Sequence, residues 1–212
     1  MDGTRAPGGG TAPARVEVIR PRHPDELLAR LCAAHDGAGR VTDRLRAAIR
    51  EIPDFPRQGV LFRDITPLLR DPAAFHDAID LLTSAYRDGR VDAVVGVESR
   101  GFIIGGALAY ALGAGFVPAR KHGKLPGRTV SVVYSLEYGE AVLELHADAI
   151  KPGQRVLVVD DLIATGGTAR AAVSLVEQLG GQVVGVAFVI ELAELKGMDR
   201  LAPHRAMALI TF

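Results

Sequence analysis

The sequence predicts an α/β protein, an open parallel sheet flanked by helices. Apolar-rich runs at residues 91–97, 116–120, 156–159 and 183–190 have strand length and no polar face, as in strands buried on both sides. Stretches with apolar residues at helical spacing separate them, so strand and helix alternate along the chain. A third observation ties the pattern to chemistry. Arg155 to Ala169, RVLVVDDLIATGGTA, runs from an apolar strand through an acidic pair and a small-residue tract into an Ala-rich helix.

The elements follow in order. Residues 1–14 are rich in Gly, Pro, Ala and Thr without apolar periodicity; disorder is expected there, and the apolar core of a secretory signal is lacking. Arg15 to Arg20 reads as a short strand, and Asp25 to Ala34 as a helix with Leu27, Leu28 and Leu31 on one face. Thr42 to Ile52 is predicted as a helix capped by Thr42 or Asp43, with Leu45, Ala48, Ile49 and Ile52 on one side and Pro53 as its stop. Prolines and a glycine then make Ile52 to Leu69 an irregular loop. Asp71-Pro72 caps and opens a helix to about Asp88, with Gly89 beyond its end. The first core strand, Val91 to Val97, delivers Glu98-Ser99-Arg100-Gly101 at its carboxyl end, where ligands of open α/β sheets bind.

Gly101 to Ala119 is uncharged for 19 residues, but five glycines and Pro118 interrupt it. It is expected to be a buried helix followed by a buried strand, Phe116 to Arg120, and not a membrane span. Strand-like alternation at Thr129 to Ser135 and at Ala141 to His146, around Leu136-Glu137-Tyr138-Gly139, predicts a hairpin or long flap. The helix Gly167 to Leu179, the strand Val183 to Ile190 and an edge strand Met207 to Phe212 complete the chain.

At 212 residues the chain fits one domain of moderate size, and it contains no internal repeat. Its 25 Lys and Arg balance 25 Asp and Glu, so no overall basic field points to nucleic acid or an anionic membrane. Cys32 is the sole cysteine, which rules out a disulfide within the chain, and the six histidines show no metal-site spacing.

Function is most legible at Asp160 to Thr168. Glycines let a backbone approach a ligand closely, hydroxyls donate hydrogen bonds, and the N–H groups opening the next helix face an anion, a combination suited to a phosphate monoester. Asp160 and Asp161 are placed to accept from two neighbouring hydroxyls or to hold hydrated Mg2+. Neither a G-x-x-x-x-G-K-[ST] nor a G-x-G-x-x-G motif occurs. Sugar phosphate is therefore the expected ligand, against the plainer reading of an ordinary strand-to-helix turn.

The acidic pair followed by Ala-Thr-Gly-Gly-Thr resembles the phosphoribosyl pyrophosphate (PRPP) signature of type I phosphoribosyltransferases. IPDFPRQGVLFRDITPLL, Ile52 to Leu69, resembles the base loop of their adenine-using members. The resemblance covers about Thr42 to residue 212, with 1–41 as an N-terminal extension: an added arm, or the product of a start codon assigned too far upstream. It implies a type I phosphoribosyltransferase fold with a small hood and a flexible flap. The implied reaction is adenine plus PRPP giving AMP plus pyrophosphate, in purine salvage, with Mg2+ as cofactor. The implied setting is a cytoplasmic homodimer without nucleic-acid or membrane partners.

By the same resemblance Ala164, Thr165, Gly166, Gly167 and Thr168 anchor the 5′-phosphate, and Asp160 and Asp161 hold the ribose hydroxyls. Mg2+ is held mainly by PRPP and reached by those two carboxylates. Ser99, Arg100, Arg120 and Lys124 contact pyrophosphate, with one of Arg120 and Lys124 placed in the partner subunit's site. Phe62 stacks on adenine while the backbone of Leu61 and Arg63 reads its edge, with Leu162 beside the base. Arg100, Glu137 and Tyr138 are the implied catalytic residues, Glu137 being the acid/base group near adenine N7. A non-proline cis peptide is implied close to Ser99.

The residues alone also admit plainer roles: Phe62 as a core aromatic, Arg100 in a surface ion pair, 121–127 as a solvated loop. Ala164 bears on the base, because hypoxanthine-guanine enzymes place an aspartate there to handle purine N7. A 6-oxopurine or xanthine enzyme is the enzymatic alternative. A PRPP-sensing regulator is the alternative from another class, although residues 1–41 show no clear pair of helices for binding DNA.

Overall fold

The computed structural model describes residues 38–135 and 139–212. The expected strand at 15–20, the expected helix at 25–34 and the flap residues Leu136, Glu137 and Tyr138 lie outside the described residues. The helices are α1 (Ala38–Ala47), α2 (Thr66–Arg70), α3 (Pro72–Tyr86), α4 (Arg100–Leu112) and α5 (Gly167–Gln178). The strands are β1 (Arg50–Ile52), β2 (Phe62–Asp64), β3 (Ala93–Val97), β4 (Gly115–Lys121), β5 (Thr129–Ser135), β6 (Glu140–His146), β7 (Arg155–Ile163), β8 (Gln182–Glu191) and β9 (Ala206–Thr211). Short 3-10 turns occupy Arg87–Gly89, Ala193–Leu195 and Gly197–Leu201.

Seven strands form one sheet in the order β5-β6-β4-β3-β7-β8-β9, parallel from β4 through β9. The sheet is mixed, because β6 joins β4 antiparallel and pairs with β5 as a hairpin. Only Arg120↔Glu144 and Lys121↔Leu143 pair β6 with β4, so most of the hairpin stands beyond the end of β4.

Val156, Leu157, Val158 and Val159 are all fully buried, and alternation sends them to opposite faces. Leu157 and Val159 join the core beneath α3 and α4, whereas Val156 and Val158 join the core beneath α5. A continuous apolar run is thus the sequence form of a strand covered on both sides. Chain order sets the next step. β3 leads through α4 to β4 on one side, and β7 leads through α5 to β8 on the other. The loops leaving the adjacent strands β3 and β7 therefore diverge, which opens a crevice at the carboxyl end of the sheet.

Two expectations need correction. The predicted helix Thr42 to Ile52 is instead a helix ending at Ala47, followed by a strand, since Arg50–Ile52 pairs antiparallel with Phe62–Asp64. The cause is non-local: the buried Asp64 carboxylate accepts from Arg50 Nε at 3.1 Å and Nη2 at 2.5 Å, drawing Arg50 into extended backbone. The second concerns α4, which is buried on one face only. Gly101, Ile104, Gly105, Leu108 and Ala109 pack inward, while Ile103 and Tyr110 are exposed.

Asp64 also makes the fold acid-sensitive. Burial alone would raise its carboxyl, but the Thr66 N–H and hydroxyl and the Arg50 guanidinium outweigh that and bring it down to about 2. A carboxyl lowered on folding contributes stability that is complete above its unfolded value and lost as pH falls toward the folded one. Arg50 is largely solvent-exposed, so screening limits the contribution to on the order of 1 kcal/mol. Urea unfolding should show Asp64→Asn less stable than the wild type near neutrality, with the gap closing between about pH 5 and about pH 2. A pH-independent gap would contradict this assignment.

Elsewhere the caps are as expected. Asp71 Oδ1 accepts from the N–H groups of Ala73 (2.9 Å) and Ala74 (3.1 Å), with Pro72 opening α3. Gly113 ends α4 at φ +66, in the left-handed region that favours glycine. At the amino ends of β3 and β7, Arg155 N donates to Asp92 Oδ2 (2.9 Å) and Arg155 Nε to the carbonyls of Gly89 (3.0 Å) and Arg90 (2.9 Å). That cluster fastens the sheet at the end opposite the crevice.

Candidate active site

Two adjoining clefts lie over the carboxyl ends of β3, β4 and β7. One, of about 420 Å³, is lined by Arg100 and the whole stretch from Asp160 to Ala169. The other, of about 450 Å³, is bounded by Val97 to Arg100, Lys121, Tyr134, Ala141, Asp160, Asp161 and Thr168. Arg100, Asp160, Asp161 and Thr168 border both clefts.

The acidic pair sits in the last residues of β7, which continues to Ile163 instead of ending at Val159. Asp161 is buried and accepts from Arg100 Nε at 2.5 Å. It continues the Leu157–Val159 side of the strand, the side on which α4 packs, and this brings it to the start of α4. The Asp161 N–H donates to Asp160 Oδ1 at 2.8 Å. Gly101 allows this arrangement, because a Cβ there would stand 2.9 Å from Asp160 Oδ1 and 3.0 Å from the Val159 carbonyl. Burial and then the neighbouring Asp161 charge push the Asp160 carboxyl well above the usual carboxylate range, more than Arg100 offsets. Asp160 therefore tends to keep its proton while Asp161 carries the charge that Arg100 balances, and full ionisation of the pair needs a further cation or hydrogen-bond donor.

Among the described residues no three His, Cys, Asp or Glu side chains gather around a metal position. Two adjacent carboxylates, one of them disfavoured as an ion without a further positive partner, fit a hydrated divalent cation carried in on phosphate oxygens, not one held in an all-protein cage.

Gly166, at φ +80, precedes α5, and no side chain caps that helix. The first N–H groups of α5 are thus left for a ligand in the cleft that Gly167 and Thr168 line. Leu162 lines the same cleft, half-buried.

Above the acidic pair, the Arg100 guanidinium lies 5.3 Å from the Phe62 ring centroid. Phe62 in turn meets Phe55 edge-to-face at 5.1 Å. Phe62 is half-buried and belongs to neither core cluster, so it is not an ordinary core aromatic. Leu61 is exposed beside it. The Arg63 side chain turns away, pairing with Glu51 and lying 4.0 Å over the Phe212 ring.

At the second cleft the Glu98–Ser99 peptide is cis, as the resemblance implied, and Ser99 is exposed to that cleft. Glu98 Oε2 accepts from Arg120 Nε (3.1 Å) and from the Lys121 N–H (3.2 Å). Burial would raise the Glu98 carboxyl, but these partners lower it. Arg120 also donates to the Lys124 carbonyl at 3.0 Å, and the exposed Lys124 side chain lines neither cleft. Lys121 lines the second cleft, although the sequence reading passed over it. Strand parity could have found it, since Lys121 follows the buried Val117 and Ala119 at two-residue steps. Tyr134 and Ala141 were missed too, and only the β5–β6 register, Tyr134↔Ala141, brings them together.

A phosphoribosyl transferase domain model matches residues 64–210. The chain therefore belongs to the phosphoribosyltransferase family. Within that family its place is among the adenine phosphoribosyltransferases. The adenine phosphoribosyltransferase of Cereibacter sphaeroides is 61% identical over 157 residues, which are 74% of this chain and 88% of that protein. The enzyme of the same name from Desulfosudis oleivorans is 55% identical over 168 residues, 79% of this chain and 97% of that one. Among solved structures, adenine phosphoribosyltransferase of Rhodothermus marinus superposes with a TM-score of 0.79 at 50% identity, covering 82% of this chain and 99% of its own. The Saccharomyces cerevisiae enzyme, complexed with an imino-altritol bisphosphate and adenine, gives 0.77 at 43% identity over 81% and 99%.

Proposed function

We infer that this chain joins adenine to PRPP, giving AMP and pyrophosphate in purine salvage, and that the two clefts hold the ribose phosphate and the departing pyrophosphate. The observation that carries this reading is Arg100, which reaches both the acidic pair and the aromatic base loop from the start of α4.

In this reading the Ala164–Thr168 loop and the start of α5 anchor the 5′-phosphate, a binding contribution that positions the ring without reacting. Asp160 and Asp161 accept from the ribose hydroxyls and favour the positive charge that builds on the sugar. The bond from the anomeric carbon to pyrophosphate breaks while the bond to adenine N9 forms, through an oxocarbenium-like state. Arg100 and Lys121, which line the second cleft, stabilise the leaving pyrophosphate, with Ser99 in the turn beneath it. When bound with PRPP, Mg2+ supplies further charge neutralisation on the diphosphate oxygens, within reach of Asp160 and Asp161. Phe62 stacks on adenine, with Leu61, Arg63 and Leu162 around it. Adenine reacts as its N7–H tautomer, so that N9 attacks through its lone pair and Glu137 takes the N7 proton as base, while Tyr138 closes the flap; both roles rest on the resemblance of that stretch.

A homodimer is part of this proposal. The exposed Ile103 and Tyr110, seven residues apart on one face of α4, form an apolar face suited to a second copy of the chain. The proposed setting is the cytoplasm. No helix among the described residues is long and apolar enough to cross a membrane.

Pyrophosphate release from PRPP and Mg2+, with adenine, hypoxanthine, guanine and xanthine offered separately, tests the reading. Release is expected with adenine alone. Release only with an oxopurine would overturn the base assignment, and PRPP binding without release would move the chain to the regulator class.

A further inference from the structure

Gly197 lines neither cleft, yet it stands against the backbone of the Ala164–Thr168 loop. A Cβ at Gly197 would lie 2.2 Å from the Ala164 carbonyl oxygen, 2.8 Å from Ile163 Cγ1 and 2.9 Å from Gly166 N. A Cβ at Gly166 would in turn lie 2.5 Å from the Gly197 carbonyl oxygen. Two of the three atoms nearest Gly197 are backbone and cannot rotate aside. The requirement at Gly197 is one of space, since its φ lies outside the left-handed region.

The segment carrying Gly197 is fastened to both sides of the loop. Leu192 N donates to the Ile163 carbonyl at 3.0 Å, joining it to the strand that enters the loop. Leu201 is fully buried in the core beneath α5, and His204 Nε2 is 3.0 Å from Glu177 Oε1 on α5, the helix that leaves the loop. Lys196, at φ +51, makes the turn that presents Gly197 to Gly166. The segment is a wall tied to strand and helix at once.

We propose that Gly197 is a positioning residue whose missing side chain sets the position of the Ala164 and Gly166 backbone, and through them the grip of the loop on a phosphate monoester. This rests on the reading above that the loop holds the 5′-phosphate. A displacement of even 1 Å in a positioning group lowers rates by up to about 10²-fold, so a clash of this size at the loop is felt in ligand binding.

The test compares Gly197→Ala with Gly181→Ala, in which a Cβ would meet Val176 Cγ1 at 2.8 Å and Ile150 Cγ2 at 2.9 Å, beyond the far end of α5. Gly197→Ala is expected to raise KM for PRPP at least about 10-fold and to weaken calorimetric binding of ribose 5-phosphate similarly, with KM for adenine within about twofold. Gly181→Ala is expected to change thermal stability alone. If Gly197→Ala does not fold, Leu201→Val decides, because it loosens the wall without adding atoms, and KM for PRPP should rise about threefold. Wild-type binding of ribose 5-phosphate that either deciding variant leaves unchanged overturns the proposal. So does an equal rise of both KM values. Absence of binding by the wild type would instead overturn the phosphate assignment of the loop.

Discussion

Replacing Arg100 by glutamine is expected to lower kcat/KM for PRPP by about 10²- to 10³-fold, the range found when one preorganised charge-stabilising donor is removed. Glutamine keeps much of the side-chain length but loses the charge and the planar fork that binds oxygens in pairs. Two consequences act together. The departing pyrophosphate loses a cation, and the buried Asp161 loses the guanidinium now 2.5 Å away. Because the Arg100 side chain is about one-third exposed, the fold should survive, which thermal unfolding checks. Arg100→Lys should recover only part of the loss, since an ammonium restores charge without the fork. A glutamine variant within about fivefold of wild type would remove Arg100 from the chemistry.

Phe188→Ala carries the largest expected loss of stability, about 3–5 kcal/mol. Phe188 is fully buried near the centre of β8, between Asp160 on β7 and Ala208 on β9. Truncation leaves a cavity that two hydrogen-bonded neighbours prevent from collapsing. For a chain of this size the midpoint of thermal unfolding should fall on the order of 10 °C. Urea denaturation gives the free energy directly, and a loss below about 1 kcal/mol would mean that the site repacks. Because Phe188 is in register with Asp160, turnover below the midpoint should also fall.

How much of this was legible depended on how locally each feature is determined. β7, the acidic pair and the loop before α5 were readable in one stretch, because strand, turn and helix start are consecutive and each residue type has a local reason. β1 was not, because its partner strand begins ten residues after it ends and Arg50 answers to Asp64, which no helical periodicity reports. The ion pair between Glu98 and Arg120 joins the ends of two neighbouring strands and follows only from their register, in which Val97 pairs with Ala119. Its effect is specific: Arg120, expected to be free for pyrophosphate, is held by a carboxylate in this structure. α4 misled for the opposite reason, since a run that is apolar all round does not say which face meets the sheet and which is left bare.

The fastening of Arg155 to Asp92, Gly89 and Arg90 has a practical bearing on engineering. It lies at the amino ends of the same two strands whose carboxyl ends carry Glu98, Ser99, Asp160 and Asp161. The length of the sheet separates the two regions, and effects at well-separated sites without shared partners add. Thermostability can therefore be sought around residues 89–92 and 153–155, where substitutions leave the catalytic geometry alone, and combined freely with changes of base preference made at the opposite rim.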